Sequence, residues 1–94
     1  MNRDDILHEA ISAITVDRAA THGDAENSFA SIAQLWDWWL HNRPVPEAEL
    51  LPEDVAMMMT LFKIARISGN SQHDDNFIDL AGYCALAGEI STQK

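Results

Sequence analysis

The sequence is poor in cysteine, proline and glycine, with one, three and four of these among 94 residues. A single cysteine excludes an internal disulfide, and the first residues lack the basic and then apolar layout of a secretory signal. We therefore expect a protein of the reducing cytoplasm.

Long hydrophobic runs and basic charge are also scarce. The longest mainly apolar run, residues 55–67, is interrupted by Lys63 and Arg66, so we expect no membrane span. Six Lys and Arg against fifteen Asp and Glu give a formal net charge of −9. That charge repels phosphate backbones and disfavours direct nucleic-acid binding. Three explanations of the negative charge remain: a site that binds cations, a basic protein partner, or solubility alone.

Apolar residues make up 47% of the chain and recur at helical spacing, which predicts one all-α domain over residues 1–94. All three prolines fall between Asn42 and Pro52, which predicts the main loop. The four predicted helices run from the cap Asn2 to about Ala20, from Asp24 to Asn42, from Pro52 to the break at Ser68, and from Asp74 or Asp75 to about Ile90.

Spacings of three and four predict which helix faces are buried. The third helix is apolar nearly all round, so we expect it to be central. Residues predicted to face the core include Phe29, Ile32, Trp36 and Trp39 of the second helix, and Phe77, Leu80, Cys84 and Ala87 of the fourth. Leu35 and Trp38 form a second apolar strip, which predicts a partner surface. Gly82 and Gly88 predict close approach of a neighbouring helix.

The first polar constellation spans the turn between the first two helices, at Arg18, Thr21, His22, Gly23, Asp24 and Asn27. Free amides at the start of the second helix can hold an anion or a nucleotide edge, bordered by His22, Asp24 and Asn27. Helix termination explains the same residues without a ligand. Gly23 can end the first helix, Asp24 can cap the start of the second, and the Asn27 side chain can hydrogen-bond back to the capping residue. Both interpretations stay open.

The second constellation lies on the fourth helix. Asp75, Asp79 and Tyr83 share one face, with the amide of Asn76 beside Asp79. Two carboxylates one turn apart repel each other unless a cation, an arginine or a proton relieves them, and oxygen ligands of this kind suit Mg²⁺ or Mn²⁺. Helix capping alone accounts for Asp75, but less easily for Asp79.

The third constellation is the pair Lys63 and Arg66 on the mostly apolar third helix. Buried cations need anionic partners, because an unpaired buried charge costs several kcal/mol. Asp75 and Asp79 on the next helix are the natural partners. Spacing does not distinguish a structural ion-pair network from a phosphate site.

These residues resemble a family of small, mostly uncharacterised phage and prophage proteins, which are in turn similar to the MazG-like all-α nucleotide pyrophosphohydrolases. The resemblance covers about residues 5–90. It rests on the three constellations and on two segments, Asp54-Val55-Ala56-Met57-Met58 and Asp75-Asn76-Phe77-Ile78-Asp79-Leu80-Ala81-Gly82-Tyr83.

The MazG-like resemblance implies a four-helix, usually oligomeric bundle that binds magnesium and cleaves nucleoside triphosphates to monophosphate and pyrophosphate. It puts Asn76-x-x-Asp79 in place of the family's second acidic pair. The first pair has no counterpart, because Glu53 and Asp54 are adjacent on the third helix.

The resulting hypothesis is a nucleotide-binding homodimer, with possible hydrolysis. In this hypothesis Asp54, Asp75 and Asp79 hold magnesium, and Asp75 and Asp79 are also catalytic. Lys63 and Arg66 bind the phosphates. Further contacts to the substrate come from His22, Asp24, Asn27, Asn76 and Tyr83. Two alternatives are a small acidic, non-enzymatic phage protein that binds and modulates a host protein, and an oligomeric structural module without a ligand.

Overall fold

The computed structural model describes residues 1–17, 25–69 and 74–93, without the side chains of residues 16, 17, 25–27 and 74. Within these ranges every regular element is helical. The elements are α1 Arg3–Ser12, continued by a π-helical turn Ala13–Asp17, then α2 Ala25–Asn42, α3 Pro52–Gly69 and α4 Asp74–Thr92. The prediction of four helices and no strand is confirmed for the part of the chain that is described.

Two helix starts follow directly from local sequence. At α1 the Asn2 side chain accepts from the Asp5 backbone N–H at 2.9 Å, and the Asp5 carboxylate accepts from the Asn2 N–H at 3.2 Å, a capping box. At α3, Pro52 occupies the first helical position and the Asp54 carboxylate accepts from the Leu51 N–H at 2.9 Å.

The predicted central helix, α3, packs against α2 on one side and more extensively against α4 on the other. Its contact faces carry small side chains, since Ala56 and Ala65 are buried, as are Ile32 of α2 and Ala87 of α4. Small residues let the helix axes approach closely. The described core therefore lies in two interfaces, one between α3 and α2 and one between α3 and α4.

Several side chains that the spacing assigns to the core lie at the surface instead. Phe29, Phe77 and Cys84 are exposed. The apolar side chains of α1 are exposed as well, by 59% at Leu7, 56% at Ile11 and 63% at Ile14. The reason is that α1 packs extensively on no other described helix and α4 packs mainly on α3. Periodicity identifies an apolar face but not whether a neighbour covers it.

The second apolar strip of α2 is partly at the surface: Trp38 is 60% exposed, while Leu35 is half-buried.

None of the described helices is both long enough and apolar enough to cross a membrane.

Candidate functional site

An ion pair between α3 and α4 joins two residues that the sequence proposes as partners. Lys63 Nζ lies 2.9 Å from Asp79 Oδ2. The lysine side chain is 15% exposed and the aspartate 45%, so the pair is sheltered on the lysine side and open on the carboxylate side. The expected convergence of basic and acidic groups is confirmed for these two residues.

Two basic side chains of α3 lie close to the ring of Phe62. Lys63 Nζ is 5.4 Å from the centre of its ring and the Arg66 guanidinium carbon is 5.1 Å from it. Both distances are within the range of cation–π attraction. The ring therefore attracts both positive charges.

The other residues proposed on α4 differ in accessibility. Asp75 is exposed one turn before Asp79, Tyr83 is half-buried one turn after it, and Asn76 is buried. Asn76 is thus placed to support the helix packing rather than to meet a ligand from solvent. Among the described residues no group of three or more His, Cys, Asp or Glu is arranged to hold a metal ion.

The turn constellation lies outside the described residues. The backbone of residues 18–24 and the side chains of 16–27 are not described, so the roles given to His22, Asp24 and Asn27 stay predictions.

Asp54, the remaining residue proposed to bind magnesium, lies elsewhere in the fold. It precedes Lys63 by nine residues, about 14 Å along the α3 axis. Its carboxylate is buried and accepts from Arg43 Nη1 at 2.6 Å and Leu51 N at 2.9 Å through Oδ2, and from Trp39 Nε1 at 3.1 Å through Oδ1. These donors occupy both oxygens, so the carboxylate of Asp54 serves the loop and the start of α3 rather than an open site.

The surroundings of Asp54 lower its pKa. Burial by itself raises the pKa, but the hydrogen bonds from Leu51, Arg43 and Trp39 and the positive charge of Arg43 outweigh it, so the pKa lies below its ordinary value. Asp54 is therefore an ionised partner in a buried ion pair.

Arg43, which sequence reasoning missed, organises the loop between α2 and α3. Beyond its contact with Asp54, its guanidinium donates to the backbone carbonyls of Pro46 at 3.0 Å and Glu49 at 3.3 Å, and to that of Ala48. A basic residue at the start of a proline-rich loop, with an acid at the third position of the next helix, is the signal that points to this pairing.

Comparisons with known proteins place the chain among phage proteins. A family model described as "Domain of unknown function (DUF6378)" matches residues 5–91. The chain is 43% identical over 81 residues to the Gene 55 protein of Mycobacterium phage L5, covering 86% of this chain and 49% of that protein. It is 38% identical over 85 residues to the Gene 55 protein of Mycobacterium phage D29, covering 90% and 52%.

The chain thus spans about half the length of the curated relatives it matches. No solved structure matches it significantly. The predicted resemblance to a phage family is confirmed, whereas the further similarity to MazG-like enzymes stays a prediction.

Proposed function

The chain belongs to the DUF6378 family, found in phages, and from that premise we propose that it binds a nucleotide through its phosphates where α3 meets α4. The proposed reaction, by the MazG-like resemblance, is magnesium-dependent hydrolysis to monophosphate and pyrophosphate. The observation that supports the site is the contact between Lys63 Nζ and Asp79 Oδ2.

The geometry of this contact favours a site over a purely structural ion pair. An exposed ion pair adds little stability, but here the lysine is only 15% exposed while its partner is 45% exposed. With Mg²⁺ on the Asp79 carboxylate, a phosphate approaching from this side would meet a lysine that is already held in place. Lys63 and Arg66, both beside Phe62, would then share the phosphate charge.

The carboxylates on α4 fit the way in which Mg²⁺ is usually held in nucleotide sites. Mg²⁺ retains several waters and takes one or two carboxylates, with substrate phosphates as its other ligands. Asp75 and Asp79, one turn apart and both reachable from solvent, supply two carboxylates. When bound, the metal would activate a water and neutralise the leaving pyrophosphate. Lys63 would position the phosphate, and Asp79 would orient Lys63.

The test compares two variants that each remove one aspartate charge. We expect nucleoside triphosphates with magnesium to raise the melting temperature of the wild type, and liquid chromatography to show release of monophosphate. Asp79→Asn is expected to lose both effects. Asp37→Asn, on the exposed face of α2, is the matched control and is expected to retain both.

Two results would contradict the proposal. One is a flat melting response across the common ribo- and deoxyribonucleoside triphosphates. The other is an Asp79→Asn variant that still responds as Asp37→Asn does. Stabilisation without product release would retain the binding site and reject the hydrolysis.

A second candidate function is a non-enzymatic phage protein that binds and modulates a host protein. Trp38, 60% exposed on α2, favours it, because exposed tryptophans frequently anchor protein interfaces. The net charge of −9 would steer such a protein towards a basic surface. If this candidate holds, one host protein copurifies with the wild type and is lost from Trp38→Ser, and its retention falls as salt is raised.

A further inference from the structure

The middle of α4 carries no charged residue although most of it faces solvent. Residues 80–88 include no Asp, Glu, Lys, Arg or His. Six of these nine residues are exposed and only Ala87 is buried. A helix that is apolar on nearly all sides is normally enclosed by other helices. Among the described helices α4 packs extensively on α3 alone, so its other sides lack the cover that this composition calls for.

One uncovered side of α4 is an apolar stripe formed by Phe77, Ala81 and Cys84, which are all exposed. At about 100° per residue these three positions fall within about 60° of one another on the helix. The centre of this α4 stripe lies roughly 90° around the helix from the buried Ala87. The stripe is therefore beside the interface with α3 and not part of it.

The helix α1 carries an exposed stripe with the same spacing, at Leu7, Ile11 and Ile14. It packs extensively on no other described helix. Each of the two stripes spans seven residues, about 10 Å along its helix. The large aliphatic side chains of α1 are suited to pack on the small Ala81 and Cys84 of α4. Two uncovered stripes of equal length can cover each other when two chains meet.

The surface area of the chain favours a second copy as the occupant. The accessible surface is 6796 Å², against about 5,400 Å² for a compact monomer of this mass. Each partner in a stable interface buries roughly 800 Å², so the excess is large enough for a dimer. Pairing α1 with α1 of another copy uses one stripe per chain, whereas pairing α1 with α4 in both directions uses two. The reciprocal arrangement covers more of the excess.

We infer that the α4 stripe is the seat for α1 of a second copy of this chain. A twofold axis makes the contact reciprocal, so each α1 covers the α4 stripe of the other copy. Asp79 lies about 160° around α4 from Ala81, so the seated helix does not cover the side of α4 that carries the Lys63–Asp79 pair. The dimer is accordingly independent of nucleotide binding at that pair.

Crosslinking between single cysteines tests which surfaces meet. The wild type has its one thiol at Cys84, and Ile11→Cys combined with Cys84→Ser moves that thiol to α1. The two chains are co-expressed, purified together and treated with a short bismaleimide, and the products are identified by mass spectrometry. Because each chain has a single thiol, every crosslink joins two chains.

We expect the mixed product, Cys84 of one chain joined to the introduced cysteine of the other, to exceed each of the two symmetric products at least fivefold. The matched control is Ser12→Cys combined with Cys84→Ser, because Ser12 lies about 100° around α1 from Ile11. With this control the mixed product is expected to fall at least fivefold. Circular dichroism checks that both variants remain helical.

Four results would overturn the inference. A predominant crosslink between two introduced cysteines would put α1 against α1, and one between two Cys84 thiols would put α4 against α4. Equal yields of mixed product from the Ile11→Cys and Ser12→Cys chains would show that the α1 stripe is not seated on α4. The absence of any crosslinked dimer would show that the chains do not pair through these helices.

Discussion

At the scale of single residues, two ion pairs in the described part of the chain, Arg43–Asp54 and Lys63–Asp79, differ in what they can do. Arg43 and Asp54 have side chains that are each 6% exposed, and their partners fix the loop to the start of α3. Lys63 and Asp79 leave the carboxylate accessible. A buried pair is costly to break, because the remaining charge stays desolvated, whereas an open pair remains accessible to a ligand. The first pair is accordingly structural and the second is the candidate site.

This difference predicts a pH-dependent effect of Asp54→Asn. We expect the substitution to lower the free energy of unfolding at pH 7 by about 3–5 kcal/mol, since it leaves Arg43 buried without a charged partner. The folded-state pKa of Asp54 is lowered, so its contribution is complete above its ordinary pKa of about 3.9 and is lost as the pH falls through the lower folded-state value.

Urea titrations of both proteins between pH 7 and pH 2.5 measure this effect. The difference between wild type and Asp54→Asn is expected to shrink below about pH 4. A difference that stays constant across the whole range would show that the charge of Asp54 contributes nothing.

At the scale of helices, α4 has uncovered glycines. The sequence predicts that Gly82 and Gly88 admit a neighbouring helix, but a Cβ at either position meets no atom within 4 Å. No described helix of the same chain therefore makes the predicted close approach there. Glycine in a helix interior costs backbone entropy, about 0.5–1 kcal/mol relative to alanine, and at Gly82 no contact with the described residues offsets that cost.

We therefore expect Gly82→Ala to raise the free energy of unfolding by about 0.5–1 kcal/mol. Urea denaturation at low protein concentration measures the change. Gly69→Ala, at the last residue of α3, is the control and is expected to gain less, because the end of a helix tolerates glycine. A loss of stability at Gly82 would mean that another chain packs closely against this face.

At the scale of the whole molecule, the chain has more surface than a compact monomer of its size. Its accessible surface is 6796 Å², against about 5,400 Å² expected from its mass. Its radius of gyration is 15.7 Å, against about 12 Å for a compact domain of this length. The excess, about 1,400 Å², exceeds the roughly 800 Å² that each partner buries in a stable interface. Exposed Leu7, Ile11 and Ile14 on α1 supply an apolar part of it.

We propose that two copies associate through α1 and expect light scattering to give a mass twice that of the 10.5 kDa chain. Ile11→Asp places a charge on the apolar face and is expected to give monomers. Ser12→Asp adds the same charge about 100° around the helix and is expected to leave the dimer intact. A wild type that remains monomeric at about 100 µM, a concentration that corresponds to a binding free energy of only about 5.5 kcal/mol, would contradict this proposal.

The sequence by itself determined the helices and the starts of α1 and α3. Helical spacing, the Asn2 and Asp5 box, and Pro52 are local features, acting within one or two turns, and all reappear in the structure. The partnership of Lys63 with Asp79 was also predictable, because a lysine on a mostly apolar helix requires an acid on the helix beside it.

Tertiary structure alone decided which apolar faces are covered and what Asp54 does. Periodicity is the same for a face that meets a neighbouring helix and for one that does not, so the exposure of Phe29, Phe77 and Cys84 was not readable from it. Asp54 has the same chemistry as Asp79. Arg43, eleven residues away, holds its carboxylate, and a contact across a loop depends on how the loop folds rather than on spacing along a helix.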